Sequence, residues 1–257
     1  RLIRVTRGLE GRIALVTGAG RGLGREIAKG LAAAGAVVRL NGRTREPLER
    51  VAAEIAALAG IAVATPFDVT DEDEVGPAIE NVLHAHGRLD VLVNNVGVRD
   101  RRGLFEFSTA DIDRLIAANL VAPLHLARAA ARAMIAGGAG GRIINVTSIA
   151  GSIAADGDAV YTASKAGLEG LTRALAAELG RHRITVNAIA PGFFATEANA
   201  EMAADPRVTA WLKRRTALGR WGEPREIAGA AVFLASPTAS YITGHVLAVD
   251  GGYLAHF

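Results

Sequence analysis

The chain has 257 residues with a formal net charge of +3; 50% of the residues are hydrophobic and 21% are charged. This composition excludes disordered and fibrous proteins, and the absence of cysteine excludes disulfide scaffolds and thiolate metal sites. Acidic residues are interleaved with the basic ones, so the charge favours a mixed, solvated surface over a nucleic-acid-binding face.

Short β-branched runs alternate with helix-length segments along the whole chain. Helix starts are expected at Thr44, at Thr70 and at Ser108, the last two because an acidic residue follows three positions later. Strands that are apolar throughout and separated by helices indicate a parallel sheet covered on both faces. We therefore predict a single α/β domain over residues 1–257, a doubly wound parallel seven-stranded sheet. The predicted strands are 13–17, 37–41, 62–67, 91–94, 143–147, 185–189 and 246–249.

Neither end of the chain predicts a membrane segment. Residues 1–7 are basic but lack the apolar run of a signal peptide. The stretch 227–249 has no charged side chain among Asp, Glu, Lys and Arg, but Pro237 and Gly244 break it into a helix, a turn and a strand. We expect a soluble, cytoplasmic protein that binds neither membranes nor nucleic acids.

A glycine-rich turn follows the first strand and opens a helix. In that setting glycines permit a tight turn and let backbone N–H groups reach a pyrophosphate, while the helix N-terminus attracts its negative charge. The turn therefore predicts a dinucleotide cofactor. Its candidate contacts are Gly18, Gly20, Arg21, Gly22, Leu23 and Gly24.

The end of the second strand bears on which dinucleotide binds. It reads Asn41-Gly42-Arg43, without the acidic residue that would accept hydrogen bonds from the ribose hydroxyls of NAD(H). Arg43 and Arg21 can instead pair with a 2′-phosphate, although either arginine alone would more often be solvated. NADP(H) is favoured over NAD(H).

Tyr161 and Lys165 stand four residues apart, hence on one face of a helix expected over 159–179. A nearby cation lowers the pKa of a phenol and makes it a better proton donor and acceptor at neutral pH. Ser148 follows the fifth strand, where its hydroxyl can bind a substrate oxygen, with Thr147 and Ser152 as alternatives. Asn119 is a poor helix former within an alanine-rich helix expected over 109–136. It either has a functional role or is a buried side chain bonded to nearby backbone.

These motifs, in this order, resemble the short-chain dehydrogenase/reductase family over residues 11–252: T-G-x3-G-x-G at 17–24, N-N-V-G at 94–97 and Y-x-x-x-K at 161–165. The resemblance implies a Rossmann fold, a homotetramer built through helices 109–136 and 159–179, and hydride transfer between a nicotinamide cofactor and a small-molecule alcohol or ketone. It implies the catalytic residues Asn119, Ser148, Tyr161 and Lys165, with Tyr161 as acid and base and Lys165 also holding the nicotinamide ribose. Asn119 would bend its helix around a water that relays protons from Lys165. The further cofactor contacts it implies are Asn41, Asp68, Val69, Asn95, Gly97, Pro191, Gly192 and Thr196.

Substrate residues are expected in the segment 192–215, after the sixth strand, and in the basic run that follows the fourth. Residues 209–216 and 220–224 resemble the gluconate 5-dehydrogenase branch of the family, and Arg102, in a run with Arg99 and Arg101, is the candidate for a substrate carboxylate. The run is otherwise a solvated loop. Phe193 and Trp211 are further candidates, and with Phe194 they form an apolar lid that would favour a 3-oxoacyl thioester of acyl carrier protein or another bulky ketone.

One other interpretation stays open at this point. A protein that has kept the nucleotide pocket but lost turnover would be a sensor of NADPH, and the intact set of catalytic residues argues against it. His84 and His86 are read as surface residues, and no metal site is expected.

Overall fold

The computed structural model describes residues 8–256, and within that range seven parallel strands form one sheet in the order β3-β2-β1-β4-β5-β6-β7. This confirms the predicted doubly wound α/β fold of the Rossmann type; β4 and β7 have the predicted bounds, and the ends of the other strands lie within two residues of the prediction. The strands are β1 (Ile13–Val16), β2 (Val37–Gly42), β3 (Ile61–Pro66), β4 (Val91–Asn94), β5 (Gly141–Val146), β6 (Ile184–Pro191) and β7 (Val246–Val249).

Helices cover both faces of the sheet because each of them buries one apolar stripe against it. The first, second and ninth helices pack on one face, and the third, fifth and sixth pack on the other. The helices are α1 (Gly22–Ala33), α2 (Arg45–Ala57), α3 (Glu72–His86), α4 (Thr109–Ile116), α5 (Ala122–Gly137), α6 (Ala159–Leu179), α7 (Ala200–Ala204), α8 (Pro206–Arg215) and α9 (Ala228–Ala235).

Two of the predicted helix boundaries can be compared in detail. The start at Ser108 is confirmed by a capping box, in which Ser108 Oγ accepts from the Asp111 N–H at 3.1 Å. The start at Thr70 is wrong, because Asp71 caps α3 by accepting from the Asp73 N–H. Thr70 uses its hydroxyl on Asp68 instead.

The helix predicted over 109–136 is not continuous. A π turn, Ala117–Val121, separates α4 from α5, and Asn119 lies at its centre. Such turns hold one residue more than a regular helical turn and are common at functional sites.

The uncharged stretch 227–249 forms α9, a short 3₁₀ turn and β7, as predicted from its proline and glycine. Within residues 8–256, no helix combines the length and apolar character needed to cross a membrane. The basic segment 1–7 lies outside the described residues.

The chain reverses its direction of progress through the sheet between β1 and β4. In such sheets ligands bind beyond the carboxyl ends of the strands at this point. The loops after β1, β2, β4, β5 and β6 meet there, and these loops carry the residues singled out from the sequence.

Candidate active site

A cavity of about 840 Å³ opens at the carboxyl edge of the sheet. Most of the side chains and glycines predicted for the site line it, so the fold brings together motifs that are up to 178 residues apart, from Gly18 to Thr196. The predicted residues that line it are Gly18, Gly20, Arg21, Gly22, Leu23, Gly24, Asn41, Arg43, Asp68, Val69, Asn95, Gly97, Ser148, Tyr161, Lys165, Pro191, Gly192, Phe193 and Thr196.

The glycine-rich turn is held in a shape that only glycine allows. Gly18 has a φ of +62°, and a Cβ placed on Gly24 would lie 2.3 Å from the Gly18 carbonyl oxygen. Asn95 fastens the turn to the end of β4, since its Nδ2 donates to the Thr17 carbonyl at 3.0 Å. Helix α1 begins at Gly22 with no side-chain cap and no acidic residue in its first turn. Its N-terminal N–H groups therefore suit a pyrophosphate.

Arg21 and Arg43 are both exposed at the rim of this end of the cavity, and neither makes an ion pair or side-chain hydrogen bond within residues 8–256. Asn41 is buried beside them, where its Nδ2 donates to the Phe67 carbonyl at 2.9 Å. Hydrogen bonds from Thr70 and, more weakly, the charge of Arg43 lower the pKa of Asp68. Two cations without carboxylate partners fit a cofactor that carries an additional phosphate.

Tyr161, Ser148 and Lys165 all line the cavity. Burial raises the pKa of the Tyr161 phenol, whereas a hydrogen bond with Ser148 and the charges of Arg99 and Arg101 lower it. Lys165 was the cation expected to lower this pKa, but the structure assigns that effect to the two arginines. Lys165 Nζ lies 5.9 Å from the centre of the Tyr161 ring and donates to the Val146 carbonyl at 3.1 Å.

Lys165 is almost fully buried, and burial lowers its pKa to about 8. A nearby carboxylate would have raised the pKa of Lys165, but the cause that acts on it is desolvation, which lowers the pKa. The backbone approaches closely on one side, since a Cβ on Gly97 would lie 3.1 Å from Lys165 Nζ. Lys165 is therefore a cation that can release its proton near neutral pH.

Asn119 lies behind the cavity and does not line it. Its buried amide donates to the Val98 carbonyl at 2.9 Å and to Ser164 Oγ at 3.0 Å, and its oxygen accepts from the Val98 N–H at 2.7 Å. Asn119 is thus a buried side chain bonded to nearby backbone, as the second of the two sequence-based interpretations predicted. Through these bonds it connects the loop after β4 to the helix that carries Tyr161 and Lys165.

The three arginines after β4 differ in what surrounds them. Arg102, the residue predicted to bind the substrate carboxylate, does not line the cavity: its guanidinium pairs with Asp100 at 2.7 Å and with Asp111 at 3.1 Å. Arg101 lines the cavity, and its Nε donates to the buried Asp158 at 2.6 Å. Arg99 also lines the cavity; its Nη1 donates to Asn199 Oδ1 at 3.5 Å, and it has no carboxylate within ion-pair distance among residues 8–256. Of the three, Arg99 is the one available to an anionic substrate.

The aromatic residues of the segment after β6 form a cluster beside the cavity. Phe193 makes edge-to-face contacts with Trp211 and Trp221, with ring centres 5.4 Å and 5.8 Å apart. Trp211 itself lines a neighbouring, shallower cavity of about 440 Å³ that shares Phe193 and Arg101 with the larger one. The predicted Trp211 contact therefore lies next to the catalytic groups and not among them.

Sequence reasoning missed two carboxylates near the site. Asp158 precedes α6 by one residue, a position typical of helix caps, but nothing in the sequence indicates that it is buried or paired with Arg101. Glu197, next to Thr196, lines the cavity and lies 4.0 Å from Arg25. In the part of the chain that the structure describes, no group of three or more His, Cys, Asp or Glu side chains is placed to hold a metal ion.

Three comparisons with known proteins agree with this geometry. A family model described as Enoyl-(Acyl carrier protein) reductase matches residues 18–254. Gluconate 5-dehydrogenase of Gluconobacter oxydans is 44% identical over 244 residues, 95% of each chain, and 3-oxoacyl-[acyl-carrier-protein] reductase of Synechocystis is 40% identical over 246 residues, 95% of this chain and 97% of the relative. The crystal structure of a gluconate 5-dehydrogenase from Burkholderia cenocepacia, in complex with NADP and tartrate, superposes with a TM-score of 0.93 at 39% identity and covers 98% of each chain.

Proposed function

Since the chain belongs to the short-chain dehydrogenase/reductase family, we propose that this NADP(H)-dependent oxidoreductase interconverts D-gluconate and 5-ketogluconate. The observation that carries the choice of substrate is Arg99, a guanidinium in the same cavity as Tyr161 with no carboxylate of the described chain paired to it. A guanidinium without a carboxylate partner suits the carboxylate of a sugar acid, which it can bind through two parallel hydrogen bonds. The Burkholderia relative binds tartrate, which is also a small hydroxy acid.

The cofactor, when bound, supplies or accepts the hydride at the carbon that changes oxidation state. Arg21 and Arg43 would hold its additional phosphate, and the turn from Gly18 to Gly24 its pyrophosphate. The protein's own task in the reaction is to orient the substrate and move one proton.

In the direction of reduction, Tyr161 donates its phenolic proton to the C5 oxygen as the carbonyl carbon receives the hydride, and the product is a secondary alcohol. In oxidation Tyr161 takes that proton back. Ser148 orients the same oxygen through a hydrogen bond, and Lys165 is the nearby cation from which the proton on Tyr161 is renewed. Asn119 holds the backbone at Val98 so that these groups keep their places.

A 3-oxoacyl thioester is the second candidate substrate. The aromatic cluster of Phe193, Trp211 and Trp221 beside the cavity favours it, as does the identity to the Synechocystis reductase. Its acyl chain would lie on the apolar wall, and Arg99 would contact no carboxylate. The two candidates therefore differ in whether a negative charge near the reacting carbon helps binding.

The test compares kcat/KM for 5-ketogluconate and gluconate with kcat/KM for an acetoacetyl thioester, each with NADP(H) and with NAD(H). We expect 5-ketogluconate to be preferred by at least about tenfold, which corresponds to ~1.4 kcal/mol in the transition state. A preference of the same size for the thioester would reject the sugar acid as substrate and leave the family assignment unchanged. Tight NADPH binding without turnover of any carbonyl compound would instead favour a sensor of NADPH.

We also propose that the chain acts as one domain, with the segment 192–215 serving the substrate, and that it works in the cytoplasm as a homotetramer. Small residues on α5 and α6, such as Ala129, Ala133 and Gly167, would permit close approach of helices from neighbouring subunits. Light scattering at micromolar concentration tests the assembly, and a monomer there would reject it. Cell fractionation tests the location.

A further inference from the structure

Glu169 is a buried carboxyl group that the proposed reaction does not use. It lies on α6, four residues after Lys165 and thus one turn further along the same face, and only 7% of its surface is exposed. Burying a carboxyl group is unfavourable unless its polar atoms are paired. One oxygen of Glu169, Oε1, has no hydrogen-bond partner within residues 8–256. An apolar side chain would therefore be the more stable choice if packing were the position's only requirement.

The carboxyl group of Glu169 lies directly against the turn that follows Ser148. A Cβ placed on Gly151 would lie 2.3 Å from Oε1 and 2.8 Å from the carboxyl carbon, so the Gly151 backbone packs onto the group. Burial raises the pKa of Glu169, while the charge of Arg173 and a hydrogen bond with the neighbouring Ser152 lower it. The Glu169 carboxyl group therefore packs on the backbone of this turn at Gly151, next to Ser152.

Ser148 owes its position to the same turn. Its Oγ accepts from the Ala150 N–H at 3.1 Å, and its carbonyl accepts from the Gly151 N–H at 2.9 Å. The turn Ile149–Gly151 packs on α6, the helix that presents Tyr161 and Lys165. A shift of this turn along α6 would move the Ser148 hydroxyl relative to the Tyr161 phenol.

We propose that Glu169 is a positioning residue, whose carboxyl group fixes the turn at 149–152 on α6 and thereby sets the Ser148 hydroxyl beside Tyr161. This inference rests on the proposed function, because it takes Ser148 and Tyr161 as the groups that bind and protonate the substrate oxygen. A displacement of about 1 Å at a reacting group is enough to cost on the order of 10²-fold in rate. We expect the effect in kcat, since Glu169 does not line the cavity and the residues that would hold the cofactor's phosphates lie on other elements of the fold.

The experiment measures kcat and KM for 5-ketogluconate, and the Kd of NADPH, in four variants. Glu169→Ala should lower kcat by about tenfold or more, with KM and Kd within about threefold, because the turn loses its support. Glu169→Gln should stay within about threefold of the parent, since its amide keeps the shape and still bonds Ser152. Gly151→Ala should lower kcat by about tenfold, because its methyl group displaces the carboxyl. The double variant Gly151→Ala/Glu169→Ala should be no worse than Glu169→Ala, since the space is then free.

Glu178→Ala is the matched control, an exposed glutamate on the same helix, and kcat should not change. Unchanged kcat in Glu169→Ala, a loss confined to KM or Kd, or Gln performing no better than Ala would overturn the proposal. If Glu169→Ala does not fold, Ser152→Ala tests the proposal in its place, because Ser152 is exposed and its substitution should not prevent folding. We expect Ser152→Ala to lower kcat by about threefold or more if the hydrogen bond to Glu169 holds the turn, and an unchanged kcat would overturn the proposal.

The two proposals fail in different ways. Activity retained by Ser148→Ala and Tyr161→Phe would contradict the proposed reaction. If Ser148→Ala and Tyr161→Phe lose activity as expected but the Glu169 and Gly151 variants keep full activity, only the positioning role of Glu169 is contradicted. Hydrogen exchange of the Gly151 and Ser152 amides gives a readout without substrate, and it should quicken in Glu169→Ala and stay unchanged in Glu178→Ala.

Discussion

The arginines at the two ends of the cavity face opposite electrostatic surroundings. At the cofactor end, Arg21 and Arg43 have no ion-pair partner among residues 8–256. At the substrate end, Arg101 is paired with Asp158 and Arg99 has no carboxylate partner, while Arg102, which does not line the cavity, is paired with Asp100. This difference shows that a basic run in a sequence predicts positive charge, but it does not predict which of its side chains can bind a ligand. A guanidinium that already pairs with a carboxylate of the chain binds an anionic ligand less readily. Among the arginines named here, two at the cofactor end and one at the substrate end have no such partner within residues 8–256.

The largest expected effect concerns proton transfer by Tyr161, which lies between the two ends of the cavity. It tests whether proton transfer can be removed without weakening the binding of the cofactor. Tyr161→Phe should lower kcat by ~10²–10⁴-fold, the usual contribution of a general acid, while the Kd of NADPH stays within about twofold. Steady-state kinetics and fluorescence titration of NADPH measure the two quantities. Retention of more than about a tenth of kcat would assign proton transfer to another group.

The substrate end is tested by a matched pair of variants. Arg99→Met should raise KM for 5-ketogluconate by ~10–100-fold, as expected for the loss of a hydrogen-bonded charge pair of ~1.5–3 kcal/mol. Arg102→Met should change KM by less than about threefold, because Arg102 is held by Asp100 and Asp111 outside the cavity. Equal effects of the two substitutions would erase the distinction drawn between paired and unpaired arginines.

The cofactor end is tested by its preference between two nucleotides. Gly42→Asp combined with Arg43→Ala should lower the ratio of kcat/KM with NADPH to kcat/KM with NADH by about tenfold, since the 2′-phosphate loses a cation and meets a carboxylate. Arg45→Ala is the control, because Arg45 is exposed and paired with Glu49. A Cβ at position 42 would lie 3.2 Å from a methyl group of the buried Leu48, so this side chain has to shift by a few tenths of an ångström to accept the aspartate. An unchanged ratio would remove Arg43 from the cofactor site.

The smallest expected effect concerns Lys165, a cation that is governed by burial and not by carboxylates. Its pKa of about 8 lies below the 10.5 of an exposed lysine, so between pH 8 and 10 the unfolded chain binds more protons than the folded one. The free energy of unfolding should therefore rise with pH in this window, by about 1 kcal/mol per unit, and the rise should be absent in Lys165→Met. Tyr161 acts in the opposite sense only above pH ~10, because its pKa is raised. Urea titrations at pH 7, 8, 9 and 10 provide the measurement, and parallel pH dependences for parent and variant would contradict it.

The fold and the cofactor end were largely predictable from sequence, because local rules act there. Apolar runs predict buried strands wherever they stand, and Gly18 and Gly24 are needed for steric reasons that involve only nearby backbone. The wrong helix start at Thr70 is an error of one residue between two polar side chains that compete for the same N–H groups. Asp71 caps the helix by accepting from the Asp73 N–H, whereas the Thr70 hydroxyl donates to Asp68.

The substrate end was less predictable because its electrostatics depend on contacts between distant segments. The pairing of Arg101 with Asp158 joins residues 57 positions apart, and such a pair cannot be predicted from the spacing of residues in a helix or strand. The burial of Glu169 against Gly151 is likewise invisible in the sequence, where Glu169 reads as an ordinary polar position on a helix. The identity of the residues in a motif therefore predicts their chemistry, whereas their availability is decided by the packed structure.

The π turn at Ala117–Val121 has a consequence for the helices on either side of it. One residue more than a regular turn advances the rotational phase of the chain by about 100°. A heptad pattern read through 109–137 therefore changes phase at this point, and α4 and α5 direct their apolar stripes to different neighbours, α4 towards α6 and α5 towards α3. Residues that share a face across this segment are therefore five positions apart, where a regular helix places them four apart, so a helical pattern read from α4 into α5 has to be shifted by one residue at this point.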